Sequence, residues 1–133
     1  MSSKIKYLST ILAPISIGEL IDKITILEIK KDHMTGIKLN NVNRELELLQ
    51  SILQDKNVAV DSDLISSLRI VNLRLWDIED RIRIKEQRQE FDEEFIEIAR
   101  SVYKENDIRS SIKKDINRKF NSELVEEKSY KYL

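Results

Sequence analysis

Six apolar residues, Leu64, Leu68, Val71, Leu75, Ile78 and Ile82, recur at spacings of 4, 3, 4, 3 and 4. That alternation follows one side of an α-helix and has no counterpart in a strand, where one face repeats at every second residue. A helix with so long an unbroken seam packs lengthwise against others. The chain offers few alternatives. Two glycines and one proline in 133 residues cannot furnish the turns of a many-stranded sheet. The expected fold class is all-α, an up-and-down helical bundle of about five helices.

Local signals place those helices. Ser16 caps a first helix running to about Met34, with Glu19 three residues on as in a capping box. Ile17, Leu20, Ile21, Ile24 and Leu27 share one face, and Thr35-Gly36 stops the helix with Gly36 suited to a left-handed cap. A second helix spans roughly Leu39 to Gln54, with Leu39, Val42, Leu46, Leu49 and Leu53 as its seam. After a loop over Asp55 to Val60, Asp61 or Ser62 begins the long third helix, to about Gln89. The apolar phase shifts near Phe91, and Asp92 caps a fourth helix with Phe95, Ile98, Ala99 and Val102 inward. Asn106-Asp107 reads as a tight turn, followed by a fifth helix carrying Ile108, Ile112, Ile116 and Phe120. Asn121-Ser122 ends it, leaving a charged tail with Tyr130 and Tyr132. Residues 1–14 form an N-terminal arm expected to pack on the bundle, and 15–133 form one helical domain that includes the tail.

Composition narrows the function. Lys and Arg number 23 against 24 Asp and Glu, giving a net charge of -1 with both signs interleaved, so no basic excess draws nucleic acid. No cysteine is present, which excludes thiol catalysis and thiolate metal sites. No apolar run approaches the roughly 20 residues of a membrane span. Lys4 and Lys6 before Tyr7-Leu-Ser-Thr-Ile-Leu-Ala13 faintly resemble a signal peptide, but Pro14 interrupts the run and no cleavage site follows. The expectation is a cytoplasmic protein without nucleic-acid or membrane partners. Twenty Ile stand against three Ala, so the helices rest on periodicity rather than propensity.

Charges inside the apolar stripes mark where a site would lie. At about 100° per residue, Glu28 falls within the stripe of the first helix, while Asp22, Thr25 and Ile29 form a separate face. Asn72, Trp76, Glu79 and Arg83 form a second stripe on the third helix, and Arg109 and Lys113 lie over the side of Ile112 and Ile116. An unpaired buried charge is costly, so these groups either pair, with Glu28 or Glu79 meeting Arg83 or Arg109, or line a ligand pocket. The candidate ligand-binding set is Glu28, Asn72, Glu79, Arg83 and Arg109, for a small anionic molecule. Arg100 and Arg109, flanking the turn at Asn106-Asp107, offer a second candidate anion site there.

Metal chemistry is the remaining candidate. Asp22, Asp77 and Asp80 are the candidate metal ligands, with Mg²⁺ the ion that carboxylates on adjacent helices could hold. The paired acidic motif of all-α nucleotide pyrophosphohydrolases is incomplete: Glu94 and Glu97 satisfy E-x-x-E but no E-x-x-D follows. Asp77 and Asp80 are also explained by pairs with Arg81 and Arg83. Trp76 reads as a packing residue at the core edge, and His33, near a helix end, as exposed.

Longer motifs carry a resemblance. Ile17-Gly18-Glu19-Leu20-Ile21-Asp22-Lys23-Ile24-Thr25-Ile26-Leu27-Glu28-Ile29-Lys30 opens it, followed by Leu75-Trp76-Asp77-Ile78-Glu79-Asp80-Arg81-Ile82-Arg83. Ala99-Arg100-Ser101-Val102-Tyr103 with Asn106-Asp107, and Val125-Glu126-Glu127-Lys128-Ser129-Tyr130, complete it. With these motifs the chain resembles an uncharacterised bacterial and phage family, a domain of unknown function, from about Ile15 to Tyr130. The resemblance implies that the tail belongs to the domain and that the N-terminal arm is an addition; it implies no activity. The expected function is a helical interaction or self-assembly module that presents a helical face or its tyrosine-bearing tail to a protein partner or a second copy. The alternative is a ligand-binding protein or enzyme with the charged inter-helix site above.

Overall fold

A computed structural model describes residues 9–122, 124 and 126–130. Those residues form four helices and no strand: α1 Ile17–His33, α2 Gly36–Asp55, α3 Ser62–Gln87 and α4 Glu93–Lys119. The fold class is all-α, with one helix fewer than the sequence predicts. Asn106-Asp107 makes no turn and lies in the middle of α4. Asn and Asp are only mediocre helix formers, and side-chain contacts offset that weak penalty: Asn106 accepts a hydrogen bond from Arg109 one turn on, and Asp107 pairs with Lys128 of the tail.

The helix ends follow from local chemistry. Ser16, Asp61 and Asp92 each accept a hydrogen bond from a first-turn amide, those of Glu19, Asp63 and Phe95. The capping box is half formed, because the Glu19 carboxylate reaches out to Lys113 instead. With no glycine to spare, α2, α3 and α4 stop at left-handed Asn57, Gln89 and Asn121. Just beyond each, the amides of Val58, Glu90 and Ser122 bond back to the carbonyls of Leu53, Lys85 and Asn117. Gly36 is left-handed, as expected, but it opens α2 three residues earlier than predicted rather than capping α1.

The central element is α1, which all three other helices contact. Leu20, Ile24 and Leu27 pack with Val42 and Leu46 of α2. Ile21 packs instead with Leu68 and Val71 of α3 and Ile116 of α4. Ion pairs Arg74–Glu105, Arg81–Glu94 and Lys85–Asp92 fix α3 and α4 as an antiparallel hairpin. Lys85, hydrogen-bonded by Asp92 against the cost of burial, holds its proton well above the ordinary lysine range. Among the described residues no helix is long and apolar enough to cross a membrane.

Two predicted faces hold in the main, with Ile98, Ile112, Ile116 and Phe120 packed inward, and fail at one edge each. Ala99 is exposed beside buried Ile98, and Ile108 is exposed while Ser110, Lys113, Ile116 and Asn117 are buried. The lower half of α4 turns a polar face towards α1 because α1 offers it polar partners. The N-terminal arm falls partly outside the described residues (1–8). Within it Ile11 and Leu12 are exposed, 91% and 79%, so this part does not pack on the bundle as expected. Tyr132 also lies outside the described residues.

Gly18 sets how closely α1 approaches α4. Its amide donates to Asn117 Oδ1 at 2.7 Å. A Cβ there would lie 2.6 Å from the Lys113 carbonyl oxygen and 2.9 Å from that same Oδ1. Gly18→Ala is therefore expected to push the helices apart and cost about 1–3 kcal/mol of stability in urea unfolding. Unchanged stability would show that the close approach is dispensable.

Candidate functional site

Asp22 sits on the side of α1 that faces the hairpin and is 0% exposed. Both its oxygens are occupied. Arg109 from α4 donates through Nε to Oδ1 at 2.9 Å and through Nη2 to Oδ2. Asn72 from α3 donates to the same Oδ1 at 3.0 Å and to Thr25 Oγ1 at 3.0 Å. The Thr25 hydroxyl in turn donates to the Asp22 backbone carbonyl at 2.8 Å. A buried carboxylate is tolerated only when paired and hydrogen-bonded in this way. The Arg109 guanidinium, hydrogen-bonded to Asp22 and within the fields of Glu19 and Glu126, is held above its ordinary range despite partial burial.

Lys113 extends the network. Its Nζ lies 4.0 Å from Asp22 Oδ2, 2.7 Å from Glu19 and 2.8 Å from Glu126. Burial alone would lower the affinity of this ammonium for its proton. The hydrogen bonds to Glu126 and Glu19 outweigh that and raise it. The same contact with Lys113 lowers the Glu126 carboxyl, against its desolvation. The C-terminal tail thus returns along α4, with further pairs Glu127–Lys114 at 3.5 Å and Lys128–Asp107 at 3.8 Å.

Beside the network lies an open groove of about 520 Å³ between α1 and the hairpin. Asn72, Trp76, Glu79 and Arg83 of α3 form one wall, Asn106 and Arg109 of α4 the other. Glu79 and Arg83 pair at 3.3 Å across one helical turn, both exposed. Trp76 leans on His33 with ring centroids 4.7 Å apart. His33 Nδ1–H donates to the Ile29 carbonyl at 2.8 Å, closing the C-terminal turn of α1. His33 is exposed, and Trp76 is half-buried beside it.

Of the sequence-predicted ligand set, the structure brings Asn72, Glu79, Arg83 and Arg109 to this one groove and leaves Glu28 out. Glu28 is six residues from Asp22, roughly 240° around α1, and so faces elsewhere. It meets Arg69 at 2.7 Å, not the expected Arg83 or Arg109, over a smaller hollow of about 370 Å³. The three metal candidates do not meet. Asp22 is taken by Arg109, Asp77 pairs with Arg81 at the surface, and Asp80 lies on the groove wall. Among the described residues no three acidic or histidine side chains gather as a metal site would require. The anion site at the expected turn is also absent, since Arg100 and Arg109 stand nine residues apart on one continuous helix, about 13 Å along its axis.

Sequence reasoning missed Asp22 as the hub and Lys113, Asn117 and Glu126 as its surroundings. A signal existed. Asp22, Thr25 and Ile29 share one face of α1, and the apolar Ile29 on it, 4% exposed in the structure, is the one hint that this face is an inner one.

The two acids of α1 should behave differently. Asp22→Asn leaves Arg109 and Lys113 short of counter-charge and is expected to cost about 3–5 kcal/mol in urea unfolding. Glu28→Gln, at a part-exposed pair, is expected to cost less than about 1 kcal/mol. Equal costs would refute the hub. The tail pair gives a pH signature. Because Glu126 is lowered on folding, its stabilisation is complete above the free glutamate pKa and lost as pH falls through the lowered value. Because Lys113 is raised, its contribution is complete below the free lysine value and lost as pH rises through the raised one. An NMR titration should place the Glu126 midpoint below that of a free glutamate; a midpoint at or above it would mean the tail is undocked.

No curated protein and no solved structure matches the chain. A family model described as a family of unknown function, DUF6165, matches residues 11–132, from the described end of the N-terminal arm through all four helices into the tail. The chain belongs to the DUF6165 family.

Proposed function

We propose that the protein is a non-enzymatic interaction module, and that its binding face is the free end of the α3–α4 hairpin. The observation that carries this reading is a mismatch of lengths. The central helix has 17 residues, while α3 and α4 have 26 and 27. With Gly18 held at Asn117 and His33 at Trp76, α1 ends partway along the hairpin. Beyond it α3 and α4 continue as a two-helix arm. A two-helix arm buries only the seam between its members, here Ile78, Ile82, Phe95 and Ile98, and leaves its outer sides bare. Ile96 and Tyr103 on α4 are each 54% exposed, with exposed Ala99 between them. They repeat at 3 and 4 residues, the spacing by which one helix receives another.

A second reading, a ligand site in the groove, is favoured by the meeting of Asn72, Trp76, Glu79, Arg83 and Arg109 on one concavity. The two are separable. Under the module reading, a thermal-shift screen against metabolites and nucleotides gives no stabilisation. A tight small ligand would raise stability by about 2.7 kcal/mol at a hundredfold excess over its Kd, and such a shift, lost in Arg83→Ala, would move the function to the groove. The module reading also requires Tyr103→Glu to leave the melting temperature of the isolated chain unchanged, because the face covers nothing among the described residues. A drop of several degrees would sink that reading.

A further inference from the structure

The exposed triplet on α4 belongs to a longer pattern. Ile96, Ala99, Tyr103, Asn106, Ser110, Lys113, Asn117 and Phe120 are spaced 3, 4, 3, 4, 3, 4 and 3, a second seam along the whole helix. Its lower half is occupied within the chain. Ser110, Lys113 and Asn117 are buried, Asn117 against Gly18 and Lys113 between Glu19 and Glu126. Its upper half has no occupant among the described residues. The lower half is polar and meets a polar partner; the upper half is apolar and calls for an apolar one.

The charges beside the upper half point to a particular partner. Glu93 and Arg100, both exposed, flank the seam on the same side and are seven residues apart, opposite in sign. A helix whose flanking charge reverses every heptad is complementary to itself when turned end for end. If Ile96 of one copy sits against Ala99 of another in antiparallel orientation, Glu93 of each copy comes beside Arg100 of the other. The same apposition supplies the two helices that each arm lacks, so that two hairpins close into a four-helix layer with both apolar seams covered.

Resting on the module reading above, we infer that the occupant of the arm is a second copy of this chain, paired about a two-fold axis through the Ile96–Ala99 stretch of α4. The interface is isologous, with the same patch on both copies. Small Ala99 lets the helices approach, Ile96 and Tyr103 fill the seam, and two Glu93–Arg100 pairs fix orientation.

Sedimentation velocity on the full chain, from micromolar to near-millimolar concentration, tests the pairing. The native protein should sediment as a dimer that dissociates on dilution. Ala99→Arg should be monomeric with unchanged helical circular dichroism and unchanged melting temperature at high dilution. Arg100→Glu should weaken association by about tenfold or more through like-charge apposition with Glu93. Adding Glu93→Arg to Arg100→Glu should restore it, which a parallel or unrelated interface would not do. A native chain that is monomeric throughout overturns the self-pairing. So does a dimer that survives Ala99→Arg, or a double variant no tighter than the single one. None of these outcomes decides the module reading, which falls on its own test, a stabilising small molecule or a destabilised Tyr103→Glu.

Discussion

The arrangement of this molecule depends on one buried carboxylate. Asp22 is placed on the central helix with no access to water, so its charge has to be answered from both α3 and α4. Arg109 answers bidentately, a geometry that fixes angle as well as distance, and Asn72 adds a second bond to the same oxygen that Arg109 Nε contacts. Apolar side chains alone would let α1 slide or rotate against the hairpin at little cost, since hydrophobic burial is non-directional. The Asp22 cluster removes that freedom. Gly18 reinforces it about one turn earlier on α1, where backbone meets backbone and a side-chain oxygen of Asn117 takes the free amide.

Satisfying Asp22 has consequences further out. Lys113 is drawn to its edge and is nearly as buried, so it needs counter-charges of its own. Glu19 supplies one from α1 and Glu126 the other from the tail. A non-helical segment with few apolar side chains is thereby held along α4 by charge rather than by burial. Networks of this kind are worth more than their separate pairs in a low-dielectric setting, and less forgiving when one member is lost. The tail is thus tied into the bundle through the same acid that orients α1.

How much of this could be read from the sequence differs by level. The periodic seams of α2 and α3, the caps at Ser16, Asp61 and Asp92 and the stop at Asn121 are local facts, and local patterns state them. Asn106-Asp107 misleads because turn-forming side chains also serve inside a helix, as local hydrogen-bond acceptors and as partners in longer-range ion pairs. Glu28 drew attention because it interrupts an apolar stripe, yet a long side chain at a stripe's edge reaches out to Arg69 and stays part exposed. Asp22 drew little because its neighbours on the same face, Thr25 and Ile29, look like an ordinary outer side. Only the number of helices packed on α1 makes that face an inner one, and this number is a property of the assembled fold. The stripe Asn72, Trp76, Glu79 and Arg83 was legible as a face; that Arg109 and Asn106 stand opposite it was not.

The charge inventory also weighs the two faces of the hairpin against each other. In the groove the arginines and Glu79 are already engaged. Arg109 commits Nε and Nη2 to Asp22, and Glu79 and Arg83 answer each other across one turn. A polar ligand entering there has to break such pairs or be satisfied with what remains, and its gain is reduced by what it displaces. On the arm, Ile96, Ala99 and Tyr103 meet no partner among the described residues, and removal of apolar surface from water is favourable without any exchange of partners. The energetics of occupation therefore favour the apolar seam over the polar concavity, although the concavity holds the more conspicuous residues.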